Sequence, residues 1–259
     1  MKEFKITNIA EFVDYIDKLK NRDELWFRGV AKTSYLPVPG IVWRNAMDKE
    51  SSIEHDFLVS YKAYAAERNL TPWEIFSLMQ HHGLPTRLLD WSESALVALF
   101  FSLTSEPTYN GYRAVWVLNP YSLNKKTINS ATLYCPAIIA ADEFELNGDV
   151  LKLNSYLPPN LTPTSTTDYP NPPIAINATQ NLRRISSQKG CFTVHGKNPD
   201  SIDTYLSNPD DFHMIKVDAR SKEKRKEMVR VLAKLGINEE FIYQDLDSLC
   251  RRIIREHGF

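Results

Sequence analysis

The sequence lacks most of the features that assign a function at sight. Cysteine occurs three times, at Cys135, Cys191 and Cys250, odd in number and far apart. That argues against a disulfide framework and offers no zinc spacing. The longest apolar stretch, Ala95 to Phe101, falls far short of a membrane span. Net charge is −1, so no global field draws the chain to nucleic acid or an anionic membrane. The opening Met-Lys-Glu-Phe-Lys is too charged for a secretory signal, and the sequons at Asn69, Asn160 and Asn177 then read as chance. Both point to the cytoplasm. Also missing are a phosphate-loop glycine pattern, GxGxxG, HExxH, GxSxG and any internal repeat. Hydride transfer on a Rossmann fold and ordinary metalloprotease or serine-hydrolase chemistry are therefore disfavoured.

What remains is an ordinary globular composition, 43% apolar and 24% charged over 259 residues, which can bury a substantial core. Asn8-Ile9-Ala10-Glu11 has the form of a capping box. Ile9, Phe12, Val13, Ile16 and Leu19 follow at helical spacing, so a helix is expected over 8–20. Leu25 to Val30 is short and aromatic and reads as a strand. Thr33 to Arg44 reads as an ordered loop in which Tyr35 and Trp43 are candidates to line a pocket. Helices are expected over Glu54–Glu67 and, behind Pro72, over Trp73–His82. Ala114–Leu118 reads as a buried strand, and the signal from Tyr121 to Asn154 is weak. The stretch 157–173 holds six prolines and reads as a loop within the domain, either a functional flap or a mobile excursion. Cys191–His195 and His213–Val217 read as strands. Lys222–Leu235, closed by Gly236, and Asp245–Glu256 read as helices. The expected fold is a single α+β domain over 1–259, with a central, mostly antiparallel sheet flanked by helices.

Chemistry concentrates between Gln80 and Ser102. His81 and His82 precede a Gly83-Leu84-Pro85 break, and Thr86, Arg87, Asp90, Trp91 and Ser92 surround the apolar Leu88-Leu89 step. The stretch reads as turn, short strand, corner and buried helix, with Asp90 or Ser92 where an N-cap would sit. A strand feeding a helix start suits an anion such as a phosphate. The plainer reading is that Asp90 and Ser92 cap the helix, Arg87 pairs with a carboxylate, and the histidines end the preceding helix. Arg28 poses the same choice. Inside an apolar strand it is either half of a structural ion pair or a planar fork offered to a phosphate or carboxylate. Gly29 beside it implies close approach of a ligand or of another backbone.

Four blocks together resemble the FRG domain family: Leu25-Trp26-Phe27-Arg28-Gly29, the run from Gln80 to Trp91, the run from Arg184 to Thr193, and the tail from Leu235 to Asp247. A second resemblance is to ADP-ribosyltransferases of the arginine–serine–glutamate type. Trp26-Phe27-Arg28-Gly29 is similar to their first motif, whose arginine holds NAD. Leu88-Leu89-Asp90-Trp91-Ser92 is similar to the second, and Gln188-Lys189-Gly190 stands where the third would be, with Gly190 in place of the catalytic glutamate. The resemblance implies an ADP-ribosyltransferase-like fold and NAD as substrate, without a metal. It implies Arg28, Asp90, Gln188 and His82 as the catalytic set, with His81 the alternative base. Trp26, Phe27, Arg28, Gly29, Tyr35, Arg87, Trp91 and Ser92 would be the NAD-binding set. It also implies a toxin or anti-phage effector acting on a nucleic-acid or protein acceptor, with an antitoxin or neighbouring defence protein as partner and no membrane.

Two other readings stand beside it. One is a non-catalytic module binding a nucleotide, nucleic acid or protein, for which Arg183, Arg184, Arg251, Arg252 and Arg255 would form a basic strip. The other is a metal-dependent hydrolase or nuclease using His81, His82 and Asp90, ranked last because adjacent histidines point in different directions.

Overall fold

The strongest local signals in the sequence become the elements that hold the centre of the molecule. The computed structural model describes residues 3–19, 24–64, 69–138, 143–162, 170–179 and 186–257. In chain order the elements are β1 (Glu3–Ile6), α1 (Ile9–Asp17), β2 (Trp26–Val30), α2 (Gly40–Trp43), α3 (Glu50–Ser60), α4 (Pro72–His81), β3 (Leu88–Ser92) and α5 (Ala95–Thr104). There follow β4 (Arg113–Leu118), α6 (Pro120–Ile128), β5 (Glu143–Leu146), β6 (Asp149–Lys152), β7 (Ile174–Asn177), β8 (Gly190–Val194) and β9 (Phe212–Val217). Three helices close the chain: α7 (Lys222–Lys234), α8 (Glu239–Tyr243) and α9 (Leu246–Glu256).

The architecture is α+β. Seven strands form one sheet in the order β1-β9-β4-β2-β3-β8-β7. The β1–β9 pair is parallel and the other pairs are antiparallel. β5 and β6 make a separate hairpin. Among the described residues no helix is long and apolar enough to cross a membrane.

The caps explain where the helices start. Asn8 accepts from the Glu11 amide at the head of α1. Thr71 and Glu74 form a reciprocal capping box on α4, with Pro72 at its first turn. At α5 the cap is Ser94, which accepts from the Val97 amide, rather than Asp90 or Ser92. The reason is that β3 runs on to Ser92, three residues further than the Leu88-Leu89 step implied. Gly83, at φ +82, takes the left-handed turn after α4 that a side chain would resist.

Two helical layers cover one face of the sheet. Over β1, β9, β4 and β2 lie α5, α1 and α7, packing Phe12, Leu99, Phe100, Met228 and Leu232 against Phe27, Val115, Val117 and Ile215. α5 is apolar around most of its girth because it is sandwiched in this layer. Over β3, β8 and β7 lie α3, α4 and a 3₁₀ turn at Leu153–Tyr156, packing Phe57, Phe76, Met79 and Tyr156 against Leu88, Phe192, Val194 and Ile174. The opposite face carries a third cluster built on Trp26, Leu89, Trp91, Trp116, Cys191 and Phe212, with Leu123 of α6 against it. The two layers on the first face part company above the β2–β3 seam.

Several boundaries differ from expectation. α3 begins at Glu50 and gives way to a 3₁₀ turn at Tyr61–Ala63, and the expected end of that helix at Glu67 lies outside the described residues. The Val42-Trp43 end of the expected loop lies in α2. The weak region between Tyr121 and Asn154 holds α6 and the β5–β6 hairpin. Of the proline-rich stretch, residues 157–162 fold against α3, where Asn160 donates to Glu54. Residues 163–169 lie outside the described residues, as do Arg183 and Arg184.

Candidate functional site

β2 and β3 share one register pair, Phe27 with Ser92, and then separate. Continuing the ladder would pair Gly29 with Asp90. Instead the Asp90 carbonyl accepts from Arg28, whose Nη1 donates to it at 2.7 Å. A guanidinium thus replaces a strand amide and props the sheet open. The same Nη1 lies 3.9 Å from Asp90 Oδ2, with side-chain exposures of 27% for Arg28 and 55% for Asp90. Sequence reasoning required these two residues to converge, and they do.

Asp90 is oriented by a relay that starts in the backbone. The Leu88 amide donates to Thr86 Oγ1 at 3.1 Å. Thr86 then donates its hydroxyl proton to Gln80 Oε1 at 2.6 Å. With its carbonyl side so occupied, the Gln80 amide nitrogen faces Asp90 and donates to Oδ2 at 2.6 Å. Thr86 is buried and fixed, so the carboxylate inherits a defined rotamer while remaining half exposed. Gln80 and Thr86 were absent from the residues singled out as site candidates. Their signal was their place in the same block as His81 and Asp90.

The gap between the two helical layers is a cleft of about 300 Å³. Phe27, Arg28, Gly29, Asp90, Trp91, Ser92 and Gln188 line it from the strand side. Gln80 and His81 line it from α4, and Ala98, Phe101 and Ser105 from α5 and its end. Its volume lies at the lower end of the range for small-molecule sites. Burial lowers the Arg28 guanidinium pKa below its usual value, and the charge of Asp90 works against that shift. Arg28 Nε is buried with no hydrogen-bond partner among the described residues. A cation held this way, with a distant counter-charge and an idle donor, is suited to an incoming anion.

The remaining candidates divide. Ser92 Oγ donates to the Gln188 carbonyl at 2.6 Å and accepts from the Ser94 amide, so it ties the end of β3 to the segment entering β8. The Gln188 side chain donates to the Ile242 carbonyl of α8 at 3.1 Å. Lys189, at φ +46, turns the chain there and accepts from the Glu93 amide. Gly29 does permit close approach, and the partner is backbone. A Cβ at this position would lie 1.7 Å from the Ala98 carbonyl oxygen of α5. Trp91 borders the cleft, but its indole is buried on the other face and donates to Thr193 Oγ1 at 3.0 Å.

Four candidates are not brought to the cleft. Trp26 is fully buried in the opposite core. Tyr35 donates to Glu106 at 2.5 Å and packs edge-on to Trp43. His82 is exposed at the C-cap of α4, and its neighbour His81 is the histidine in the lining. Arg87 is wholly buried. Its Nε donates to both Glu50 oxygens at 2.9 Å, Nη1 to the His195 carbonyl at 2.6 Å, and Nη2 to the Tyr156 carbonyl at 2.5 Å. Every arm of its guanidinium is thus spent on the frame.

The FRG domain family model matches residues 23–111. The chain carries an FRG domain. The matched segment of the FRG domain runs from just before β2 to just after α5, so it contains both sides of the seam and Arg28, Gln80, Asp90 and Ser92. The blocks at 184–193 and 235–247 fall outside it. No curated protein and no solved structure matches the chain. Among the described residues, no three histidine, cysteine, aspartate or glutamate side chains gather as a metal would require, so the histidines and Asp90 do not form a ligand set.

Proposed function

We propose that the FRG domain takes NAD into the β2–β3 cleft and transfers its ADP-ribose to a nucleic-acid or protein acceptor. The observation that supports this reading is the Arg28–Asp90 pair: a partly desolvated guanidinium beside a half-exposed carboxylate whose rotamer is fixed by Gln80. Arg28 is the anchor for the diphosphate. Asp90 is the carboxylate that stabilises the oxocarbenium-like ribose as the bond to nicotinamide breaks and the acceptor's nucleophile forms the new one. His81, which borders the cleft, is assigned in this reading as the base for the proton released by that nucleophile. Such a reaction consumes a shared metabolite and marks the acceptor, which fits a toxin or anti-phage effector restrained by a partner protein.

The test is nicotinamide release from NAD by purified protein, with DNA, RNA and cell lysate as acceptors. Asp90→Asn is expected to lower the rate by about 10²–10³, as for loss of one electrostatic stabiliser. Release that survives in Asp90→Asn and Arg28→Ala would refute the assignment.

One observation favours a second reading, a nucleotide-binding module without turnover. Gly190 has no carboxylate to offer, and the Gln188 side chain is engaged with Ile242. Nucleotide binding that depends on Arg28, with no release under any acceptor condition, would select it.

A further inference from the structure

A second concavity lies on the far side of α5 and is independent of the NAD reading. It holds about 760 Å³ between the C-terminal end of α5 and the outer face of α7, with α8 and α9 at its far wall. Leu103, Pro107, Val229 and Ala233 contribute an apolar floor. Along one edge stand Lys222, Lys226, Arg230 and Lys234, at successive four-residue steps on α7 and all exposed. Among the described residues none of these four forms an ion pair. Glu223 and Glu227 belong to α7 but not to the lining, so every charge that α7 presents to the groove is positive. Arg225, also in the wall, is held in place by the carbonyls of Pro107, Ala219 and Arg220. The acidic residues of the far wall are Glu239 and Glu256, and Glu256 is bound to Arg252.

Like charges four residues apart on a helix repel, and Glu223 and Glu227, which stand three residues before Lys226 and Arg230, are not in the groove lining. A row of like charges beside an apolar trough therefore calls for a counter-charge with an apolar body. We infer that this groove binds a single anionic amphiphile, an alkyl chain ending in a carboxylate or phosphate. The chain lies on the floor formed by Leu103, Val229 and Ala233, and the head engages the Lys226–Arg230 part of the row. The volume falls within the range of sites for drug-sized ligands. A concave, mostly apolar trough admits one such molecule at a time, whereas a nucleic-acid strand would need a continuous charged track.

The experiment titrates decanoate, well below micelle formation, into the full chain at low salt, with dodecanoate and decyltrimethylammonium in parallel. The expected result is saturable one-to-one binding of decanoate. Affinity rises by up to about fourfold for each added methylene, and the cationic probe does not bind. Binding weakens at higher salt. Reversal of two exposed charges, Lys226→Glu with Arg230→Glu, weakens it by about tenfold or more. Ala233→Trp, which fills the floor, abolishes binding while the unfolding midpoint confirms an intact fold. Absence of saturable binding would overturn the proposal, as would affinity that ignores chain length or charge reversal. Binding to phosphatidylglycerol vesicles but not to the free acid would also overturn it, by assigning the basic row to a membrane surface.

Discussion

Arg28 and Arg87 look alike in the sequence, each an arginine beside apolar neighbours at a strand, and the structure gives them opposite work. Arg87 is enclosed and saturated, and its acidic partner Glu50 lies 37 positions earlier in the chain. No local pattern reports such a partner, which is why burial could not be told from ligand binding. Replacing Glu50 by Gln leaves a buried guanidinium underpaired, and the expected loss is about 3–5 kcal/mol in urea unfolding. Arg28 is the reverse case. It is partly desolvated, it keeps an idle Nε, and its counter-charge is 3.9 Å away. Arg28→Ala should therefore cost less than about 1 kcal/mol or even stabilise the fold, as expected where a site is held ready at the expense of stability. A loss as large as that for Glu50→Gln would make Arg28 structural.

His195 supplies a pH dependence at the same scale. Its ring is buried, Nδ1 has no partner among the described residues, and burial lowers its pKa to about 4. The unfolded chain takes up the proton near the ordinary value of about 6.5, while the folded chain resists it. Stability from this residue is thus complete above about pH 6.5 and is lost as pH falls towards 4, by roughly 3 kcal/mol. Glu54 acts in the opposite sense. Burial raises its pKa, so its contribution is greatest at low pH and falls as pH rises through its titration. The urea midpoint of His195→Gln should decline less between pH 6.5 and 4.5 than that of the wild type. Equal slopes would remove His195 from the account.

At the scale of the element, legibility followed locality. α1 and α4 announced themselves through Asn8 and Pro72, because start signals act within one turn. β2, β3, β4, β8 and β9 were visible as short β-favouring runs. β1 and β7 were not recognised. Each is four residues long and is defined by its neighbour across the sheet, Glu3–Ile6 on β9 and Ile174–Asn177 on β8. Gly29 illustrates what a sequence can pose without answering. Close approach was evident, but only the fold shows that α5 is what approaches. Because Ala98 O leaves no room for a Cβ, Gly29→Ala should cost about 3 kcal/mol or more, through displacement of α5 from β2. A loss under 1 kcal/mol by urea unfolding would mean that α5 packs less tightly than described.

At the scale of the whole molecule, the candidate site is a consequence of how two helical layers share one sheet face. α4 covers the β3–β8–β7 half and α5 the β4–β2 half, and the uncovered seam between them exposes Arg28 and Asp90. The α+β class and the convergence of Arg28, Asp90, Ser92 and Gln188 were legible, because strands and their motifs fix where those residues sit. The orienting role of Gln80 and Thr86 was not, because it depends on the turn between α4 and β3. The segment matched by the FRG domain contains both strands of this seam, β2 and β3, though not Gln188 at its rim, and the account's central claim is that the seam is a nucleotide site with Arg28 as its anion anchor. Calorimetric titration of NAD into the full chain, wild type beside Arg28→Ala, tests it most directly. The account predicts one-to-one binding in the wild type, weakened by about tenfold or more without Arg28. No binding in the wild type, or equal affinity in both proteins, would contradict it.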